Sequence, residues 1–130
     1  MSSKSLATII GLLFVAVGIL GFFPNPLIYD SDTAIFHADK LHNWVHIISG
    51  ALFLLVGMAA PRSAKSFMYI FGIVYLIIGI VGFMNVGQEG MGQILGFLHV
   101  NGADNYLHIG LGVAIILAGV VARGPARVGV

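Results

Sequence analysis

Four stretches of about 18 residues, 6–23, 44–60, 67–84 and 106–122, carry no Lys, Arg, Asp or Glu. At about 1.5 Å per residue each covers roughly 26 Å as a helix, close to the hydrocarbon thickness of a bilayer. Lipid offers no partner to a backbone N–H or C=O, so a spanning segment must satisfy its own hydrogen bonds. Runs this long, dense in Gly, Leu, Ile and Val, suit helices and not the alternating ten-residue strands of a barrel. Composition agrees: 58% of the 130 residues are hydrophobic, 8% are charged, and the mean hydropathy is +1.01. That leaves too little polar surface to cover a water-soluble globule. The expected fold is an all-α membrane protein, a four-transmembrane-helix bundle forming a single domain over residues 1–130.

The charges set the expected orientation. Lys4, Arg62, Lys65, Arg123 and Arg127 fall at the N-terminus, in the turn 61–66 and in the C-terminal tail, which an even number of spans places on one side. Lys40 alone lies opposite. The positive-inside rule puts both termini in the cytoplasm, and the expected location is the bacterial inner (plasma) membrane. The first span is read as a retained anchor, because Phe22-Phe23-Pro24-Asn25-Pro26 follows it where a cleavage site would need small residues. All five acids (Asp30, Asp32, Asp39, Glu89, Asp104) and all five histidines (His37, His42, His46, His99, His108) belong to the outer loops or the helix starts after them. No Lys/Arg cluster offers a nucleic-acid footprint, and without cysteine there are no disulfides or thiolate sites.

The two halves repeat. Gly11, Gly18, Gly21 and Phe22 recur 61 positions later as Gly72, Gly79, Gly82 and Phe83. Asn43, His46, Gly50 and Gly57 return at a shift of 62 as Asn105, His108, Gly112 and Gly119. Trp44 matches Tyr106 and His37 matches His99. A tandem two-helix unit, 6–60 and 67–122, implies a pseudo-twofold axis along the membrane normal. The glycines share helical stripes and read as seams for close helix packing; Trp44 and Tyr106 read as anchors at the headgroup level. Asp39 and Asn101 are N-cap types, and segments 33–38 and 93–99 are expected as short interfacial helices.

With Gly-x-x-Gly-Phe closing the odd spans, and His-Asn-x-x-His (42–46) and Asp-Asn-x-x-His (104–108) opening the even ones, the chain resembles a bacterial family of small four-span membrane proteins, domain-of-unknown-function family 4383, over roughly residues 6–122. The resemblance supports fold and topology and implies no reaction, cofactor or catalytic residue.

His46 and His108 lie one turn into their helices, where an ionisable side chain needs a partner. The leading expectation is a structural polar cluster of Asn43, His46, Asn105 and His108, each histidine bonding a carbonyl or an asparagine amide across the seam. The alternative is a ligand site. His42 with His46, and Asp104 with His108, are spaced i, i+4 on one face, and convergence would give three imidazoles and a carboxylate for a zinc-like divalent metal. His46 and His108 alone could instead be axial ligands to haem b. His37 and His99 are expected at the interface or in solvent. No span carries a mid-membrane charge or a proline break, which argues against transport. No nucleophile elbow, phosphate loop or His-Glu-x-x-His is present, so no enzyme is expected. The functional expectation is a non-enzymatic accessory or assembling subunit that meets lipid and other membrane-protein subunits or itself.

Overall fold

A computed structural model describes residues 1–125. Its helices are α1 (Ser3–Leu20), α2 (Lys40–Ala59), α3 (Ala64–Val86) and α4 (Gly102–Val121), each long and apolar enough to cross a membrane. The chain is a mostly helical membrane bundle of four spans.

The even helices start one turn earlier than their apolar runs, because their caps set the boundaries. Asp39 accepts from the His42 backbone N–H at 2.9 Å. Asn101 and Asp104 form a reciprocal capping box, with Asp104 N–H donating to Asn101 Oδ1 at 2.9 Å and Asn101 N–H donating to Asp104 Oδ2 at 2.8 Å. Each cap satisfies N–H groups that the first helical turn leaves free.

Helices α1 and α2 form one close pair, α3 and α4 the other. The glycine stripes are where they touch. A Cβ on Gly11 would lie 2.8 Å from the Gly50 carbonyl oxygen, and one on Gly72 would lie 2.8 Å from the Gly112 carbonyl oxygen. Gly18 faces the Asn43 carbonyl oxygen and Gly79 that of Asn105, while Gly57 and Gly119 meet α1 and α3 near the other end. Lipid tails are as apolar as leucine, so this close backbone approach supplies the attraction that exclusion from water cannot. Between the pairs the spacing is filled by side chains: Phe14, Phe53, Tyr75, Met68 and Ile115 form the buried core, with Phe67 and Phe71 against it. Trp44 and Tyr106 are exposed, resting edge-on against Phe22 and Phe83.

Ser3 N–H donates to the Arg123 carbonyl, and the Ser3 hydroxyl to that of Pro61 in the 3₁₀ turn Pro61–Ser63 between α2 and α3. Both ends of the described chain and this turn therefore share one face, where Lys4, Arg62 and Arg123 lie. Arg127 is outside the described residues.

The opposite face corrects the expectation for the loops. Segments 33–38 and 93–99 are not helical but combine turns with short strands. β1 (Ile28–Tyr29) pairs in parallel with β2 (Phe36–His37), and β3 (Met91–Ile94) pairs antiparallel with β4 (Leu98–Asn101). Leu95 (φ 55°) and Gly96 (φ 77°) make the reversal, a conformation favoured in tight hairpins and unsuited to a helix. Ile94, Leu98 and Val100 point inward onto Val45, Ile78, Val81 and Val86. The hairpin is thus a lid on the end of the bundle opposite the chain termini.

Candidate metal centre

Under this lid, α2 and α4 bring three imidazoles together. His42 and His46, one turn apart on α2, face His108 from α4, and all three side chains are buried. One ligand nitrogen from each ring lies within 4.8 Å of the others. Ring centroids are 4.6 Å apart for His42 and His46, 5.5 Å for His42 and His108, and 6.4 Å for His46 and His108. Phe14 meets the His46 ring edge-on at 6.0 Å and Tyr75 meets His108 at 5.7 Å. The Tyr75 hydroxyl is 3.4 Å from Ser49 Oγ, one turn below His46.

The proton positions follow from the partners. His42 Nδ1 is 3.0 Å from the His99 carbonyl oxygen. Only an N–H can satisfy a carbonyl, so Nδ1 carries the proton and Nε2 keeps its lone pair. Nδ1 of His46 and Nδ1 of His108 are buried with no partner. A buried polar atom left unpaired costs about 1–3 kcal/mol, and these two leave donor capacity open within the cluster, as Asn43 Oδ1 and Asn105 Oδ1 do at the helix seams.

The structural cluster foreseen from the sequence divides in two. Asn43 and Asn105 do not bond the histidines. Their side-chain oxygens sit over Gly21 and Gly82, where any Cβ would collide with them, and the Asn105 amide donates to the Gly87 carbonyl at 3.2 Å. The asparagines belong to the helix seams, and the histidines stand apart from them in the middle of the bundle.

The fourth proposed ligand is also redirected. Asp104 lies outside the cluster that His42, His46 and His108 form. Its Oδ2 is engaged by Asn101 N–H and, at 3.2 Å, by the His37 backbone N–H. As the third residue of a capping box, its carboxylate folds back over the helix start. With Asn101 Nδ2 donating to the Ile35 carbonyl, it ties the α1–α2 loop to α4.

His37 was expected at the interface or in solvent, and its side chain is instead only 7% exposed, with Nε2 3.3 Å from Asp30. His99, at 39%, stays in contact with water. Ser49 and Tyr75 escaped the sequence reading because single residues within apolar spans carry no spacing signal.

The donor set suits a metal ion of borderline softness. Imidazole accommodates zinc, copper, iron or nickel. Zinc–nitrogen bonds of 2.0–2.1 Å in a tetrahedron place ligand nitrogens about 3.3 Å apart, so small ring rotations would close the cluster onto an ion. Haem does not fit this arrangement. The His42 ring stands against both His46 and His108, within the space a porphyrin plane would need.

The site lies in a four-span membrane protein, with three histidines buried beneath the β3–β4 hairpin. The chain matches the family model "Domain of unknown function (DUF4383)" over residues 4–121 and belongs to that family. No curated protein and no solved structure matches it.

Proposed function

We propose that this protein is a non-enzymatic integral membrane protein that binds one transition-metal ion, zinc or copper, through His42, His46 and His108. The observation that carries the reading is the convergence of three buried imidazoles, two with an unpartnered Nδ1. The His42–His99 bond supports it, because a metal-ligating histidine usually donates its other N–H to a carbonyl or carboxylate that fixes the ring. Three neutral ligands bring no counter-charge into a low-dielectric setting. The bound species is therefore either a monovalent ion or a dication carrying hydroxide, which lowers the charge to be desolvated. Elemental analysis of protein purified from membranes without chelator tests the reading. We expect one ion per chain, lost in His46→Ala and in His108→Ala with helical content retained; a metal-free wild type that stays metal-free on incubation with zinc or copper would overturn it.

A second reading, an accessory or assembling subunit, draws on the small extramembrane mass. The outer face offers only β1, β2 and the β3–β4 hairpin, while large apolar side chains are exposed along all four spans. Co-purification from native membranes, compared between mild and harsh detergent, tests it. A defined partner or a homo-oligomer is expected, and a strict monomer without companions counts against it.

For topology we read both termini as cytoplasmic and the histidine face as extracytoplasmic, from the clustering of Lys4, Arg62 and Arg123 on one face. The equivalent glycine contacts in the two helix pairs support relating residues 6–60 to 67–122 by a rotation of roughly 180° about the membrane normal.

A further inference from the structure

Above the buried cluster lies a second group of metal-type donors that the proposed centre does not use. His37 of β2 and His99 of β4 meet edge-on with ring centroids 5.3 Å apart. Each ring has its own carboxylate: Asp30 Oδ1 is 3.3 Å from His37 Nε2, and Asp39 Oδ2 is 3.7 Å from His99 Nδ1. Both are electrostatic contacts of ion-pair length, and neither has hydrogen-bond geometry.

These carboxylates place negative charge beside both rings, which favours a proton on the nitrogen facing the acid and leaves the other nitrogen for a ligand. In His37 the other nitrogen is Nδ1, which is buried and has no partner. In His99 it is Nε2, on a side chain that is 39% exposed. A buried free donor thus stands beside a water-facing one, with two acids nearby to attract a cation.

The same residues are joined to the buried centre. Asp39 caps α2 through the His42 N–H, and the His99 carbonyl accepts from His42 Nδ1. From the lipid side the approach is unlike this. His46 borders a groove of about 250 Å³ between α1 and α4 whose other walls are Leu, Ile, Val, Phe and Ala side chains, with nothing to replace an ion's hydration shell.

We infer that His37 and His99, with Asp30 and Asp39, form an outer divalent-cation station that captures the ion from water and passes it to His42 and the buried centre. This rests on the metal reading above. Two ligand stations in series allow dehydration by stages, since two histidines leave room for retained waters that the three-histidine centre then displaces.

Zinc is the probe. Protein stripped with chelator and reconstituted in lipid nanodiscs is titrated with Zn²⁺, and uptake into the buried centre is timed against a chromophoric chelator. We expect wild type to bind two zinc ions at saturation, and His99→Ala to bind one and to fill it at least tenfold more slowly. His99→Ala keeps the backbone carbonyl that holds His42, and its exposed side chain makes it the variant least exposed to folding defects. His37→Ala should act in the same direction. One zinc in wild type, abolished in His46→Ala and loaded at an unchanged rate in His99→Ala, would overturn the outer station and leave the buried centre standing. Full zinc content in His46→Ala would overturn the buried centre and this inference with it.

Discussion

His42 Nδ1 donates to the His99 carbonyl at 3.0 Å, so a residue of the β3–β4 hairpin fixes which nitrogen of a buried imidazole is free to bind. The lid and the candidate centre are thereby a single unit. A break in the hairpin should disturb ligand geometry before it disturbs the helices. Gly96→Val forces a β-branched residue into a positive-φ position. It should weaken zinc affinity by several-fold while circular dichroism shows unchanged helix; unchanged affinity would separate the lid from the site.

The glycine seams make a prediction about stability. At Gly50 a Cβ would sit 2.6 Å from the Gly11 carbonyl oxygen, and at Gly112 it would sit 2.6 Å from the Leu76 backbone nitrogen. Backbone cannot yield as a flexible side chain can, so Gly50→Ala and Gly112→Ala should each cost about 1–3 kcal/mol. Gly110, with nothing within 4 Å of an added Cβ, is the control. There alanine should be neutral or stabilise by about 0.5–1 kcal/mol through reduced unfolded-state freedom and better helix propensity. Unfolding in detergent by denaturant measures both, and equal effects at positions 50 and 110 would contradict the seam.

Asp104 is assigned to capping and loop attachment, which separates it from a ligand role. Asp104→Ala leaves the Asn101 and His37 N–H groups without their acceptor and should cost about 1–3 kcal/mol. Zinc stoichiometry should stay at the wild-type value. Loss of the buried zinc in a folded Asp104→Asn protein would return the carboxylate to the ligand set.

Tyr75 and Ser49 line the approach to His108 without belonging to the donor set. Tyr75→Phe keeps the ring packed against His108 and removes the 3.4 Å contact to Ser49. The expected loss is about 0.5–1.5 kcal/mol of stability with zinc affinity unchanged. A large drop in zinc affinity would make the phenol part of the site.

Orientation is checked by single-cysteine labelling with an impermeant reagent. Cysteines at positions 31 and 89 should react from outside intact cells, and those at 2 and 63 only after permeabilisation. The opposite pattern would place the histidine face in the cytoplasm.

The helices were legible because lipid imposes one simple rule, a long uncharged run, and the chain obeys it four times. Their even-numbered starts were less so. Hydropathy registers Trp44 and Tyr106 as the first apolar residues, whereas Asp39 and Asn101 begin the helices a turn earlier. The spacing of His42 and His46 puts both on one face of α2, but the same i, i+4 spacing at Asp104 and His108 hid a capping box, because sequence alone cannot say which way a carboxylate folds. Segment 93–99 was misread for its apolar content. Gly87, Gly90, Gly92 and Gly96, with the alternation Leu98-x-Val100, were the available signs of a hairpin. The burial of His37 had no sequence signal, since it depends on Asp104 reaching across from α4.

X-ray absorption at the edge of the metal that the purified protein retains, or of one equivalent of zinc added to stripped protein, tests the central claim most directly. The account predicts a first shell of three imidazole nitrogens at about 2.0–2.1 Å, with at most one light atom more, reduced in His46→Ala and in His108→Ala. A shell made mainly of oxygen, or one unchanged by both substitutions, would contradict it.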